Sequence, residues 1–427
     1  MTDTEKNPEE TLHALEQELL AYKQSETPNP EELFRKYFQT GDAAYHISNL
    51  PLALEYYLQA LALAEQNGIQ KRLTALLNNL GIIYSRQGQV DKALEYYQRV
   101  LQMEQEKGDE EGQASALANM GIAYQEKGSL QEAYKHYNQA LEIHTTRNDR
   151  IGQARQLGNM ALIHSTKGEF DEAMQKHKQA LSICQELGEL RGQSIQLSNM
   201  GLIYHIQRNL TEALQSHAEA LEISKKLGDI DGQATSFSHL GLIYSLQGNL
   251  EEAHESHQQA LEIYSSTGNL PGQAAQLGNI AILYRKQKKI PQAIQYLRQT
   301  LNIHVQIGDL QGQASDFGNL GVLYASRGEY DEGLKYYRQA LEMHNKMGNV
   351  NGQVIQLGNI GEIYYRQEKF TESLEHFTQA LETLERIGSY ENRALFRRNA
   401  AKVYEKLGQE EEAQKFYDLA DREEQTQ

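Results

Sequence analysis

Tryptophan is absent from this chain of 427 residues, and cysteine occurs once, at Cys184. A single thiol can form neither an internal disulfide nor a cysteine-rich zinc site, which fits a reducing compartment. Basic residues are in short supply as well. There are 41 Lys and Arg against 58 Asp and Glu, a formal charge of −17, and no Lys/Arg-rich run occurs. Nucleic acid and anionic membrane surfaces both need a concentrated basic footprint, so neither is expected as a partner. No run of about 18 apolar residues is present. The acidic opening MTDTEKNPEE has neither the basic start nor the apolar stretch of a signal peptide. The expected location is therefore cytoplasmic. Catalytic motifs are missing too: there is no Gly-x-Ser-x-Gly elbow, no phosphate-cradling Gly loop after a strand and no His-Glu-x-x-His. No enzyme activity, cofactor or metal is expected.

What the chain does have is repetition. The same letters return every 40 residues, as in Gly81-Ile82-Ile83-Tyr84, Gly121-Ile122-Ala123-Tyr124, Gly201-Leu202-Ile203-Tyr204, Gly241-Leu242-Ile243-Tyr244 and Gly321-Val322-Leu323-Tyr324. A second column runs through Ala53, Ala93 and Ala133, and a third through Ala60, Val100 and Ala140, each continuing to the C-terminal end. A fixed period of this length is the mark of a repeat architecture rather than of several independent domains. About ten units fit, starting near residues 34, 74, 114, 154, 194, 234, 274, 314, 354 and 394, with residues 1–33 outside the repeat.

Each unit reads as two helices. Phe237, Leu240, Ile243 and Tyr244 recur at spacings of three and four within Ala234 to Leu246, and Ala253, His257, Ala260, Leu261 and Tyr264 do so within Glu251 to Ser265. Gly68, Gly108, Gly188 and their equivalents stand where a second helix needs a left-handed C′ residue, with Asn148 as the one substitute. N-cap residues such as Asp109, Asp149, Asp229 and Asn269 follow. Gly88, Gly128 and Gly168 mark the turn inside each unit, and Pro51 and Pro291 open second helices, where a missing N–H costs little.

Small residues at the helix crossing (Gly81, Ala93, Ala140), with Tyr84 and Tyr97 around them, resemble the tetratricopeptide repeat. The 40-residue period and the recurring phrase from Leu227 to Ala234 are similar to the long-repeat subset found in LGN/Pins-type adaptors and many bacterial repeat proteins. The resemblance covers about residues 34–420. It implies an all-α fold, a right-handed α-solenoid of about ten stacked helix-turn-helix units, whose first helices line a concave surface.

On those first helices runs a column of amides: Asn79, Asn119, Asn159, Asn199, His239, Asn279, Asn319, Asn359 and Asn399, with Gln39 in the first unit. Asn is a mediocre helix former, so its recurrence needs a reason. An equivalent ladder runs along the groove of the repeat domain of O-GlcNAc transferase. An amide offers donor and acceptor together and can grip the backbone of an extended peptide whatever its side chains. The alternative is that the column holds successive units in register. Small residues run beside it (Ala118, Gly158, Ser198, Ser238, Gly278, Gly318, Gly358), leaving room for a close backbone. Further along the face an apolar row, Ile82, Ile122, Leu162, Leu202, Leu242, Ile282 and Val322, replaces the second Asn common in the LGN/Pins pattern. It either meets a hydrophobic ligand or is buried between first helices.

Toward the C-terminal end the face turns charged: Glu362, Tyr365 and Arg366, then Arg398, Lys402 and Lys406. Arg366, Arg398, Lys402 and Lys406 are candidate anchors for a peptide carboxylate, or else a solubilising cap. The column of His177, His217 and His257 is not read as a metal site, since ligands must converge at about 2 Å and stacked helices lie roughly 8–10 Å apart. His254 and His257, one turn apart, lack a visible third ligand, and Cys184 shares a helical column with His144 and Tyr264. Within residues 1–33, Glu9 to Lys23 reads as a helix with Leu12, Leu15, Leu19 and Leu20 on one face. It is expected either to cap the first unit or to fold into the groove.

The sequence therefore predicts a non-enzymatic adaptor that clasps an extended or helical peptide segment of a protein partner. The alternative is a sensor resembling the Rap-type receptors, whose groove peptide changes superhelix shape and regulates an output partner. Rap-type chains normally add an N-terminal helical effector domain, and only about 33 residues precede the repeat here. The identity of the partner, the pathway and the oligomeric state are not written in the sequence.

Overall fold

A left-handed residue stops the chain every 20 positions, from Ser48 through Gly68, Gly88 and Gly108 to Gly408. A helix cannot continue through positive φ, so each such residue ends one and turns the chain back. At Gly108 the closing bonds are Gly108 N–H to the Gln105 carbonyl (3.1 Å) and Asp109 N–H to the Glu104 carbonyl (2.9 Å). Between these stops the computed structural model, which describes residues 7–25 and 27–426 and side chains through Glu424, contains 21 helices and no strand.

The chain divides into two compact units, residues 1–209 and 210–427. The first holds α1 (Pro8–Lys23), α2 (Pro30–His46), α3 (Leu50–Asn67), α4 (Leu73–Arg86), α5 (Val90–Lys107), α6 (Glu110–Glu126), α7 (Leu130–Thr146), α8 (Arg150–Thr166), α9 (Phe170–Glu186) and α10 (Leu190–Ile206). The second holds α11 (Leu210–Leu227), α12 (Ile230–Gln247), α13 (Leu250–Ser266), α14 (Leu270–Lys286), α15 (Ile290–Gln306), α16 (Leu310–Ser326), α17 (Tyr330–Met347), α18 (Val350–Arg366), α19 (Phe370–Arg386), α20 (Arg393–Lys406) and α21 (Glu410–Thr426). Short turns force the two helices of a pair to lie antiparallel. Within each unit a pair also packs on its successor, as α5 does on α6 and α13 on α14. The fold is an α-solenoid.

Within each unit the stack is crowded on one side. First helices of successive pairs approach each other, α4 with α6, α8 with α10 and α12 with α14, while no two second helices approach comparably among the described residues. That asymmetry bends each stack with its first helices inside.

Most first helices start earlier than the apolar spacing suggests, because a phrase of Asp, Asn or Glu followed by x-x-Gly-Gln forms their first turn: α12 opens at Ile230, not Ala234. The Asp is the N-cap, accepting from the Gly amide (Asp149 to Gly152, 2.9 Å; Asp229 to Gly232, 3.0 Å). The Gly makes room for the preceding helix, since a Cβ on Gly272 would lie 2.6 Å from the Tyr264 ring. The Gln reaches back: Gln153, Gln193, Gln273 and Gln313 donate from Nε2 to the carbonyls of His144, Cys184, Tyr264 and His304 at 3.1–3.2 Å. The phrase is thus a latch joining one pair to the next. Units beginning at α4 and α20 lack it, and there the left-handed Arg72 and Asn392 precede shorter helices.

α1 packs on α2 with Leu12 and Leu19 buried. Glu16 accepts a 2.9 Å hydrogen bond from the Tyr56 hydroxyl one full repeat away, and Glu18 pairs with Lys36 at 3.2 Å. α1 thus occupies the place of a second helix from a preceding pair. The first pair opens at Pro30, ahead of the boundary near 34 that the repeat columns give.

Candidate functional site

Three helical positions of each first helix share the inner face. Along α10 they are Ile195, Asn199 and Leu202, followed by Ile206. Every Asn of the ladder is half-buried, as is His239. The apolar row is open rather than buried between helices: Ile122, Ile282 and Val322 are 45%, 40% and 39% exposed, and Ile82, Leu162, Leu202 and Leu242 half-exposed. Residues 7–25 do not fill it, since α1 lies against α2.

The ladder amides are not equivalent. Asn79 donates from Nδ2 to the Asp42 carboxylate (3.2 Å) and the Tyr57 hydroxyl (3.1 Å), and Asn119 donates to Asn78 Oδ1 of the preceding first helix (3.4 Å). These bonds link neighbouring pairs. Asn159 and Asn359 reach only within their own helices, to Gln156 and Gln356, each at 3.4 Å. Among the described residues, Asn199, Asn279, Asn319 and Asn399 have no side-chain hydrogen-bond partner. His239 stacks on His217 with ring centroids 4.8 Å apart.

Two clefts open beside these amides, at equivalent places in the two units. One, of about 400 Å³, lies between α8 and α10 and is lined by Asn159 and Asn199 together with Ile151, Leu162, Leu187 and Ile195. The other, of about 310 Å³, lies between α14 and α16 and is lined by Asn279 and Asn319 with Ala275, Ile282 and Ile307. Their charges differ. Arg155, Arg191 and Glu189 line the first, Asp309, Asp316 and His304 the second. A further cleft of about 490 Å³ lies among α5, α6 and α7, away from the ladder.

The small residues beside the ladder have a packing reason that spacing alone does not show. A Cβ on Gly158 would lie 3.0 Å from the Gln196 side chain, and one on Gly358 would lie 2.3 Å from the Phe396 ring. Gly158, Gly318 and Gly358 admit a side chain from the next first helix, and of the glycines in this series only Gly278 has nothing within 4 Å. The intruding side chains form a buried polar column absent from the sequence reading: Gln156, Gln196, Ser236, Gln276, Asp316 and Gln356. Its signal was a polar residue recurring every 40 positions in line with Leu76, Ala116 and Phe396. His177 and His257 donate from Nδ1 to Gln196 (2.7 Å) and Gln276 (2.8 Å). Burial holds both histidines below the ordinary imidazole range. His304 Nδ1 donates to Asp316 Oδ2 at 2.7 Å, and burial pushes the Asp316 carboxyl up to about 6.

The other candidates have partners of their own. His254 Nε2 accepts from the Tyr284 hydroxyl at 3.3 Å, so His254 and His257 face different neighbours. Cys184 is buried, which raises its thiol and disfavours the nucleophilic thiolate. Arg366 pairs with Glu362 (2.8 Å) and Arg398 with Asp421 and Glu424 (both 2.8 Å), so their charges are already met by carboxylates. Lys402 and Lys406 are exposed and have no carboxylate partner among the described residues. No described helix is long and apolar enough to cross a membrane.

Among solved structures the chain is similar to a signal-transduction ATPase of the STAND class with a tetratricopeptide repeat sensor from Pyrococcus horikoshii. The identity is 16% over 87% of this chain and 55% of that one, with a TM-score of 0.63. It is also similar to the apo form of RapI (16%, covering 83% and 98%, TM-score 0.59) and to the apo form of the quorum sensor NprR from B. thuringiensis (18%, covering 79% and 97%, TM-score 0.58). At these identities the likeness is one of fold. No curated protein matches. The sequence profile of the tetratricopeptide repeat matches residues 32–106, 71–146, 112–186, 194–266, 273–346 and 354–420, and the chain belongs to that family.

Proposed function

We propose that this protein is a non-enzymatic adaptor that binds an extended or helical peptide segment of a protein partner along its Asn-lined inner face. The observation that carries the reading is the pair of clefts at equivalent positions, each bracketed by two ladder amides and each opening on an exposed apolar row. Asn199, Asn279 and Asn319 keep donor and acceptor uncommitted to protein, as main-chain recognition requires. Asn79 and Asn119 belong to register instead. On this proposal Lys402 and Lys406 carry the anionic anchor, α1 is a cap on the first pair, and the protein works in the cytoplasm, where its one buried thiol stays reduced.

A second reading is a peptide sensor, in which a short groove ligand resets the curvature of the stack and so regulates an output partner. Fold likeness to RapI and to the quorum sensor NprR favours it.

Selection of random dodecapeptides from a display library on the wild-type chain and on an Asn199→Ala/Asn279→Ala/Asn319→Ala variant tests the groove. Wild type is expected to enrich a sequence family that the variant loses while keeping its helical circular dichroism. Identical enrichment by both proteins excludes ligand binding through the ladder, and loss of helicity in the variant assigns the ladder to register. Small-angle scattering with the enriched peptide then separates the two readings, since a sensor changes its radius of gyration on binding and an adaptor does not.

A further inference from the structure

In the buried polar column of the first helices, every polar member is neutral except one. Gln156, Gln196, Ser236, Gln276 and Gln356 carry no charge, whereas Asp316 is a carboxylate that is only 4% exposed. A neutral amide serves this position elsewhere, so the fold does not require a charge here, and burying one is costly. Asp316 lines the cleft between α14 and α16. One of its oxygens, Oδ2, accepts from His304 Nδ1 at 2.7 Å, and the other has no donor among the described residues.

The surroundings add negative charge. Asp309 lines the same cleft, with one oxygen 3.8 Å from His304 Nε2 and the other capping Gly312. No Lys or Arg lines it. Arg285 borders a smaller neighbouring hollow under Ile282. Two carboxylates against one imidazole leave the cleft anionic whichever form His304 takes. Beside the polar Thr300 and Ser315, Ala275, Ile282, Leu297 and Ile307 give it apolar walls that suit the aliphatic stem of a long basic side chain. The equivalent cleft of the first unit has Gln196 in place of Asp316, Cys184 in place of His304, and two arginines in its lining, so the anionic character belongs to this cleft alone of the two.

We propose that the cleft between α14 and α16 is a subsite for a Lys or Arg side chain of the bound segment, with Asp316 as its counter-charge and Asn279 and Asn319 flanking the segment's backbone. This assignment rests on the groove reading above and adds the ligand residue that the groove selects. Near neutral pH the Asp316 carboxyl, raised to about 6, is mostly ionised and ready for a cation.

The test uses the full chain and the same dodecapeptide library on wild type and Asp316→Gln. Gln stands in this column at four other units, so the fold accepts it there. Wild type is expected to fix Lys or Arg at one position, and Asp316→Gln to keep the flanking preferences while losing that one. In fluorescence anisotropy, replacing the selected basic residue with citrulline or norleucine is expected to weaken wild type by about tenfold or more and to leave Asp316→Gln nearly unmoved. Asp316→Glu, which retains the charge, is expected to keep the basic preference and serves as the second variant. A basic preference that survives Asp316→Gln overturns the subsite. An enriched family with no basic position also overturns it while leaving the groove standing. No enrichment on wild type, or enrichment unaffected by the triple Asn variant, removes the groove and the subsite with it.

Discussion

On each first helix a small residue faces a larger one 16 positions further on. Gly81 lies under Tyr97, Gly121 under Tyr137 and Gly321 under Tyr337, and a Cβ on Gly121 would come within 2.4 Å of the Tyr137 ring. Opposite His177 and Leu297 an alanine, Ala161 or Ala281, replaces the glycine, whereas Gly201 and Gly241 remain opposite His217 and His257 and Ala401 stands opposite Tyr417. Gly121→Ala is accordingly expected to destabilise by about 1–3 kcal/mol through overpacking. Adding Tyr137→His should recover most of that, because it recreates the native Ala161 and His177 combination. Thermal melts of the three variants check the coupling, and simple additivity of the two changes would count against it. Asp316 supports a second expectation at this scale. Its folded carboxyl is raised to about 6 by burial, opposed by His304 and reinforced by Asp309. An acid raised on folding binds more protons in the native state between its unfolded value, about 3.9, and 6, so stability from this group falls as pH rises through that window and the cost is complete above it. The melting temperature of Asp316→Gln relative to wild type should therefore climb between those limits and level off above them.

At the scale of the element, the periodic stops decide where helices end, and four of the inner turns use a residue other than glycine: Ser48, Arg208, Lys288 and Glu368, all with φ near +60° (59–63°). Left-handed geometry costs an L side chain roughly 1 kcal/mol. Lys288 is exposed, so Lys288→Gly is expected to raise stability by about that amount, read as a shift in the urea midpoint with unchanged slope. The last pair, α20 and α21, is closed differently from the rest. Lacking the Gly-Gln latch, it has Arg393 donating to the Leu384 carbonyl at 3.3 Å, in place of the Gln, and pairing with Glu423 (3.5 Å), which also meets Arg397 (3.0 Å). All three side chains are only 10–11% exposed. Removing Glu423 takes the carboxylate from the nearly buried Arg393, while Arg397 keeps Glu385 at 3.2 Å; a buried charge left unpaired costs about 3–5 kcal/mol in comparable sites. Because each repeat contacts only its neighbours, the damage should stay local. Hydrogen exchange of Glu423→Ala should lose protection over α20 and α21 and keep it over α12 to α16, and uniform loss along the chain would refute the local account.

For the molecule as a whole, the period of 40 was legible at once, because identical letters at fixed spacing can only be read as stacked units, and helix pairs, stops and family follow from it. The ladder was legible as a column but not as a set of distinct roles. Nothing in the letters separates Asn79, tied to Asp42 and Tyr57, from Asn279, whose side chain has no hydrogen-bond partner among the described residues. The same holds for Gly158, whose smallness answers Gln196 from the next helix, a contact set by packing across units rather than by local sequence. Arg398 likewise reads as a free cation until α21 brings Asp421 and Glu424 against it. What composition does fix is the sign of the long-range field. A chain carrying −17 attracts cationic ligands and repels anionic ones, and the attraction is screened beyond a Debye length of about 10 Å at 0.1 M salt. If the bound segment presents Lys or Arg to Asp316, steering and subsite act in the same direction. Association of the selected basic peptide, followed by stopped-flow fluorescence, should then slow as salt rises from about 0.02 to 0.3 M, while dissociation changes little. Asp316→Gln should keep this salt dependence of association, since one charge hardly alters the field of −17, and should instead dissociate faster. An association rate indifferent to salt would mean that the acidic surface faces away from the approaching ligand and plays no part in its capture.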